Sequence, residues 1–281
     1  MTPSTSQRQS LPTSPKHAFP WGRYLLIALG WGFLALVVLF PLINIFYQAF
    51  GGGIQAYWAG ISTPEALHAI FLTLIVVLVS VPINTGFGIL IAWILARHQF
   101  PGKVLMLGVL DLPLAISPTI AGLMIILLYS NTNGIFGSFL EAINIKVIFA
   151  LPGIILTTLF VTLPFVVREI LPVLQTLGIT EEEAAQTLGA NPWQTFWRVT
   201  FPSIRWALLY GIVLTTSRAM GEFGAVSVVS GKLINETNTL TLHIERAYTE
   251  YQTVDAFACS SLLALLALLT LFAQELLGKK G

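Results

Sequence analysis

Arg218 and Glu222 stand four residues apart in an apolar run covering 206–230, and on a helix that spacing puts them one turn apart on one face. An ionised side chain is costly in hydrocarbon, so each needs protein or water beside it. Two chemistries follow. In one, the pair satisfies itself and pins the helix to its neighbours. In the other, Arg218 meets an anion in transit while Glu222 weakens its grip, so that the anion is passed along. Gly221 and Gly224 would let a helix or the anion approach the backbone, where N–H groups serve as donors. Asn84, Thr85, Ser117 and Thr119 are further polar residues in apolar runs. Pro118, between the last two, removes a helical hydrogen bond and can open backbone groups to a water-filled path. For each of these residues a packing or kinking role competes with lining a path.

Bond-breaking chemistry has no comparable support. Gly231-Lys232 is followed by Leu233, and Val226 occupies the place of the first glycine that a phosphate-binding loop requires. His17, His68, His98 and His243 fall on separate segments without paired metal-ligand spacing. There is no Gly-x-Ser-x-Gly elbow and no chain of intramembrane carboxylates of the kind a proton-coupled carrier uses. Cys259 is the single cysteine, which excludes an intramolecular disulfide. The chain is read as neither an enzyme nor a cofactor binder. Its net charge of +1 gives no field to attract DNA or RNA.

The elements that carry these residues are membrane spans. Of 281 residues 55% are hydrophobic and 10% charged, where soluble domains carry about 25% charge. Six runs reach the roughly 20 apolar residues that cross a bilayer: about 24–46, 69–96, 104–129, 148–167, 206–230 and 254–277. The fold class is therefore an all-α, multi-pass membrane protein with six transmembrane helices over 24–277. Residues 1–23, rich in Ser, Thr, Pro and Gln, read as a disordered cytoplasmic tail. With an inner N-terminus, ten Lys and Arg fall on the inside, three outside (Lys146, Lys232, Arg246) and one within a span, Arg218. That bias puts both termini in the cytoplasm.

The segment 168–204 between the fourth and fifth spans is too long for a plain connection. Thr180 and Glu183 have the spacing of a capping box, and Glu181, Glu182 and Glu183 suit the positive end of a helix. Gly189 is placed to end that helix in a left-handed conformation, and Asn191-Pro192 to start another. Trp193, Phe196 and Trp197 give the second helix a broad apolar face until Pro202 stops it. Either the aromatics cap the protein's own helix ends, or the turn enters a groove on a soluble partner.

The string EEEAAQTLGANPWQTFWRVTFP resembles the EAA motif of ABC importer permeases of the binding-protein-dependent, MetI-like family. Glu183, Ala184, Ala185, Gly189 and Pro202 match at the family's spacing, while Val199 and Phe201 replace its usual Ile and Leu. RAMGEFGAVSVVSG (218–231), TNTLTLHIE, EYQTVDAFA, SLLALLALLTL, DLPLAISP (111–118), LPGIILTTLFVTLPFV and REILPV resemble the W-type permeases of sulfate/thiosulfate importers. The resemblance runs from about residue 24 to the C-terminus. It implies that the turn is the coupling helix on a cytoplasmic ATPase, with ATP-Mg bound by that partner. It also implies a heterodimer with a paralogous T-type permease, two ATPase copies and a periplasmic sulfate-binding protein, in a bacterial inner membrane whose lipid surrounds the spans. The mixed charges of the outer segment 231–253 suit docking of that protein. A permease for molybdate or tungstate, or a non-transport scaffold, are the rival readings.

Overall fold

The computed structural model describes residues 20–132 and 134–278, and these form helices joined by turns, with no strand among them. Residues 1–19 of the expected tail, and Lys279 and Lys280, lie outside the described residues. The chain divides into two compact units, 1–44 and 45–281. In the first, α1 (Pro20–Leu34) widens into a five-residue π turn (Ala35–Leu39). Helix α2 (Phe40–Ala49) continues it, and the run Trp21–Ala49 is apolar enough to span, with mean hydropathy 2.6.

In the second unit, α3 (Gly53–Ile61) precedes α4 (Pro64–Arg97), which starts where Thr63 accepts from the Ala66 amide and Pro64 takes the first helical position. Helices α5 (Lys103–Ala115) and α6 (Pro118–Tyr129) follow, then the short α7 (Gly137–Ala142) and the long α8 (Leu151–Leu177). Next come α9 (Thr180–Thr187) and α10 (Pro192–Thr195), a π turn (Phe196–Thr200), and α11 (Phe201–Met220). The chain finishes with α12 (Gly224–Val229), α13 (Leu240–Thr249) and α14 (Thr253–Gly278). Among the described residues, five stretches are single helices long and apolar enough to cross a membrane, and a sixth exists if α5 and α6 count as one bent span.

Helix α8 is the axis of this unit, with α4 on one side and α11 on another. Small residues set the approach: a Cβ on Gly88 of α4 would stand 2.7 Å from the Val166 side chain, and one on Gly211 of α11 would stand 3.2 Å from the Val166 Cα. Asn84 is buried here and donates to Leu159 O at 3.0 Å and Thr162 Oγ1 at 2.7 Å. It ties α4 to α8, which answers for the polar atom in the apolar run without any path. Ala92, Leu95, Leu110, Val166, Val167, Ile170, Leu174, Ile204 and Leu208 form the main core, toward the Arg97 end of α4.

Three expectations are corrected. The run 104–129 is two helices meeting at 114°, because Ile116 and Ser117 take extended backbone ahead of Pro118 (ψ 140° and 137°). The run 206–230 stops at Met220, where Gly221 closes the helix. The segment 168–204 is shorter as a connection than expected: α8 runs on to Leu177, and the continuous helix that leads into α11 begins at Pro192, with α9 between them. Charges such as Arg168 end an apolar run without ending a helix, so hydropathy places the helix ends too early.

His243 on α13 is buried, and both its ring nitrogens lack a partner among the described residues. Burial lowers its pKa, Arg246 lowers it further, and Glu65, Asp255 and Glu250 oppose the shift. An imidazole depressed in the fold takes its proton first in the unfolded chain, so stability falls as pH drops through about 6.5 and levels off below the folded pKa. The thermal midpoint in detergent should therefore drop between neutral and mildly acid pH more steeply in the wild type than in His243→Leu. Equal slopes would assign the acid sensitivity to other groups.

Candidate functional site

Apart from Asn84 and Thr85, which lie within α4, the residues singled out in the apolar runs converge on two helix breaks. Arg218 lies in the last turn of α11, where its cation faces the negative end of the helix. Its Nη1 meets Glu222 Oε2 at 2.6 Å, with the Glu222 side chain 1% exposed and Arg218 32%. The pair does not lie along one helical face as the spacing predicts: it bridges the break between α11 and α12. Glu222 Oε1 accepts from the Ala225 amide at 2.9 Å, and the Glu222 carbonyl accepts from Thr241 Oγ1 at 2.8 Å. One carboxylate thus compensates the cation and one orphan donor of the next helix, while its own backbone is held by α13.

The second break, at Ile116–Pro118, faces the first. A Cβ on Gly224 would stand 2.8 Å from the Pro118 Cβ, and one on Gly122 of α6 only 2.6 Å from the Ala225 carbonyl. The two short helices after the breaks, α6 and α12, therefore cross with backbone nearly touching backbone. Ser117 and Thr119 flank the junction and are exposed. The structure brings Ser117, Thr119, Glu222 and Gly224 to one junction, and Arg218 reaches it through Glu222. Gly221 caps α11, and a Cβ there would make an ordinary van der Waals contact with Ser217 O at 3.6 Å.

The other candidate region is the turn between α9 and α10. Gly189 has φ +89°, a conformation that L side chains rarely adopt, and a Cβ there would meet open space. Asn191 accepts from the Gln194 amide at 2.8 Å while Gln194 Oε1 accepts from the Asn191 amide at 3.0 Å. That is the reciprocal cap of α10. The capping box expected at Thr180 and Glu183 is absent. Gly178, at φ +65°, turns the chain early, so Ile179 is already helical at the start of α9 and no side chain caps it. Pro202 does not stop a helix either. The π turn Phe196–Thr200 bonds the Phe201 amide to Phe196 O, and this wide turn lets the proline ring follow inside a continuous Pro192–Met220 helix.

Trp193, Phe196, Trp197 and Phe201 form a chain of ring contacts. Leu188 is nonetheless 89% exposed and Trp193 70%. The protein's own helix ends leave this apolar face uncovered. Beside it, Glu181, Ala184, Ala185, Leu188, Arg198, Val199, Pro202, Ser203 and Arg205 line an open groove of about 630 Å³.

A contact that sequence reasoning missed anchors this turn. Arg97, at the end of α4, donates to Glu182 Oε2 at 3.0 Å and Oε1 at 2.9 Å, and to the Leu174 carbonyl at 2.8 Å. Glu182 Oε1 also accepts from Thr200 Oγ1 at 2.8 Å. The two charged side chains are 7% and 13% exposed, so breaking this pair from one side would cost about 3–5 kcal/mol. Three successive glutamates are alike in sequence, and only tertiary placement marks Glu182 out.

Replacing Gly224 by Val should press on Pro118 and destabilise the junction by about 1–3 kcal/mol, read as a lower thermal midpoint in detergent. Gly86→Val, where a Cβ meets nothing within 4 Å, is the control. Equal midpoints would mean that the two breaks separate readily.

The family described as "Binding-protein-dependent transport system inner membrane component" matches residues 52–280. The sulfate transport system permease protein CysW of Synechocystis sp. is 53% identical over 258 residues, 92% of this chain and 93% of its own length. The CysW protein of Escherichia coli K12 is 49% identical, covering 92% and 88%. The CysT permease of the same bacterium is 38% identical, covering 86% and 87%. Among solved structures, a bacterial ABC transporter involved in the import of alginate matches with TM-score 0.76 at 19% identity, over 92% of this chain and 96% of that one. A second structure, of an alginate transporter with its pentasaccharide-bound periplasmic protein, matches with TM-score 0.75 at 19% identity, over 90% and 92%.

Proposed function

The chain belongs to the family of inner membrane components of binding-protein-dependent transport systems, and from that premise we propose that it is the permease subunit of an ATP-driven sulfate/thiosulfate importer. The observation that carries the substrate is the 49–53% identity, over about nine-tenths of this chain, to permeases named for sulfate transport. The chain is a membrane permease subunit by family, not a catalytic enzyme. The coupling ATPase belongs to another chain.

Sulfate carries two negative charges, and moving one charge across 100 mV is worth about 2.3 kcal/mol. Import into a negative interior therefore costs about twice that before any concentration gradient, so an external energy source is required. In the proposed cycle, ATP binding closes a pair of ATPases. The turn carrying Glu183, Ala184, Ala185 and Gly189, with Pro202 behind it, moves with them, and the spans open to the periplasm. A sulfate-loaded binding protein docks on the outer segment 231–253, where Lys232 and Glu245 pair at 3.0 Å, and releases the anion. ATP hydrolysis resets the spans inward. Binding at each end biases one two-state element, which is the physical content of the coupling.

The exposed Leu188 and Trp193 support the docking role of the turn, since an apolar face left uncovered at a protruding loop suits a partner's groove. The surplus of Lys and Arg on the segments that include Arg97, Lys103 and Arg198 supports a cytoplasmic location for that loop and for both termini. The 38% identity to a T-type sulfate permease fits a heterodimer of two related permeases. The junction of Ser117, Thr119, Gly221, Glu222 and Gly224 with Arg218 is the proposed anion path: its cation is partly exposed and its carboxylate holds that cation from trapping the dianion.

Radiolabelled sulfate uptake, with the other transporter components present, should vanish on deletion of this chain and be competed by thiosulfate but not by molybdate. Competition by molybdate instead would move the substrate to the larger oxyanions. Arg218→Gln should lower uptake with the complex still assembled. Loss of assembly would make the Arg218–Glu222 pair structural, and normal uptake would take Arg218 off the path.

A further inference from the structure

The coupling turn is useful only if its displacement reaches the spans, and α9 is held to them by few bonds. Its first turn carries no side-chain cap, and Glu183, the motif's own glutamate, is exposed. What fastens α9 is the Glu182 carboxylate. One of its oxygens accepts from Arg97 and from Thr200, the other from Arg97 alone. Arg97 belongs to the last turn of α4, and Thr200 closes the π turn that leads into α11. The third Arg97 donor takes the Leu174 carbonyl, in the last turn of α8, where α8 ends at Leu177 and Gly178 turns away at φ +65°. Two side chains and one hydroxyl therefore join the turn to the ends of α4 and α8 and to the start of α11.

We propose that Arg97 and Glu182 are the positioning residues that transmit motion of the coupling turn to the spans. The planar guanidinium suits this task, because it holds a carboxylate with two parallel donors and keeps a third for a carbonyl at a fixed angle. The surroundings exclude most water, so the link is little screened, unlike the exposed Arg168–Asp111 pair at 2.8 Å on α8 and α5. The inference deepens the function proposed above and rests on it.

The test uses the complete complex in vesicles, with ATPase and loaded binding protein. Its readouts are co-purification of the ATPase, basal hydrolysis, and stimulation of hydrolysis by sulfate-loaded binding protein. Arg97→Gln should keep the first two and lose stimulation by about tenfold, within the range that residues on a coupling network command. Glu182→Gln should lose a similar share of the stimulation, and the double variant no more than either, since both remove one contact. Arg97→Lys keeps the charge but not the fork, and should recover part of the loss. Unchanged stimulation in both single variants overturns the proposal. So does multiplying losses in the double variant, and so does failed assembly in both Arg97→Gln and Arg97→Lys, which would make the contact a folding element only. A wild-type complex unresponsive to sulfate-loaded binding protein rejects the importer function itself. A responsive wild type with equally responsive variants rejects only the positioning role.

Discussion

A backbone amide or carbonyl without a partner costs several kcal/mol in hydrocarbon, and this constraint governs where the chain is allowed to be irregular. The long helices α4 and α8 satisfy themselves except where Pro82, Pro164 and Pro172 withhold an amide. The two interruptions among the apolar segments, at Ile116–Pro118 and Gly221–Phe223, do not, and each is answered by neighbouring protein. At the second, Glu222 supplies an acceptor to Ala225 and lends its carbonyl to Thr241. At the first, Pro118 has no amide to satisfy, and the short helix it starts lies against the short helix after the other break. The breaks are tolerable because they are paired.

That pairing links chemistry to architecture. Helical ends leave unpaired donors and acceptors, and bringing two such ends together beside a partly exposed cation makes a polar place amid apolar helices. Glycines at 122 and 224 are what permit the approach, since any side chain there would meet backbone or the proline ring. The rest of the second unit holds this junction in place: Asn84 ties α4 to α8, and Thr73 Oγ1 accepts from the Leu240 amide at 2.9 Å, fixing α13 against α4.

The sequence was most legible where a residue's type dictates backbone shape. Gly189 and the Asn191-Pro192 start follow from local stereochemistry, and the structure shows the left-handed glycine and the reciprocal cap. Composition and run length were enough for an all-helical chain, and of the six expected spans five are single helices among the described residues while the sixth depends on counting α5 and α6 together. The misses share a cause. Hydropathy reads the slab and not the helix, so it stopped α8 at Arg168 although the helix continues to Leu177. It also carried a helix through Gly221, because Gly and Glu among apolar residues look like a blemish in a span. The Thr180 box failed because Gly178 turned the chain a residue earlier than the pattern assumes. Glu182 could not be told from Glu181 and Glu183, since its distinction lies in Arg97 and Thr200, which the sequence keeps far away or out of phase.

The π turn at Phe196–Thr200 has a consequence for rotational phase. Each residue of an α-helix advances about 100°, so in an unbroken helix Trp197 and Ile204, seven apart, would fall within about 20° of each other. Ile204 is fully buried while Trp197 is 45% exposed. The extra residue taken up by the wide turn offsets the two stripes by roughly a quarter turn. One continuous rod thus shows an aromatic face to the outside at one end and a packed face to α8 at the other. The azimuth of the exposed aromatic face relative to the packed one is therefore set by a residue count.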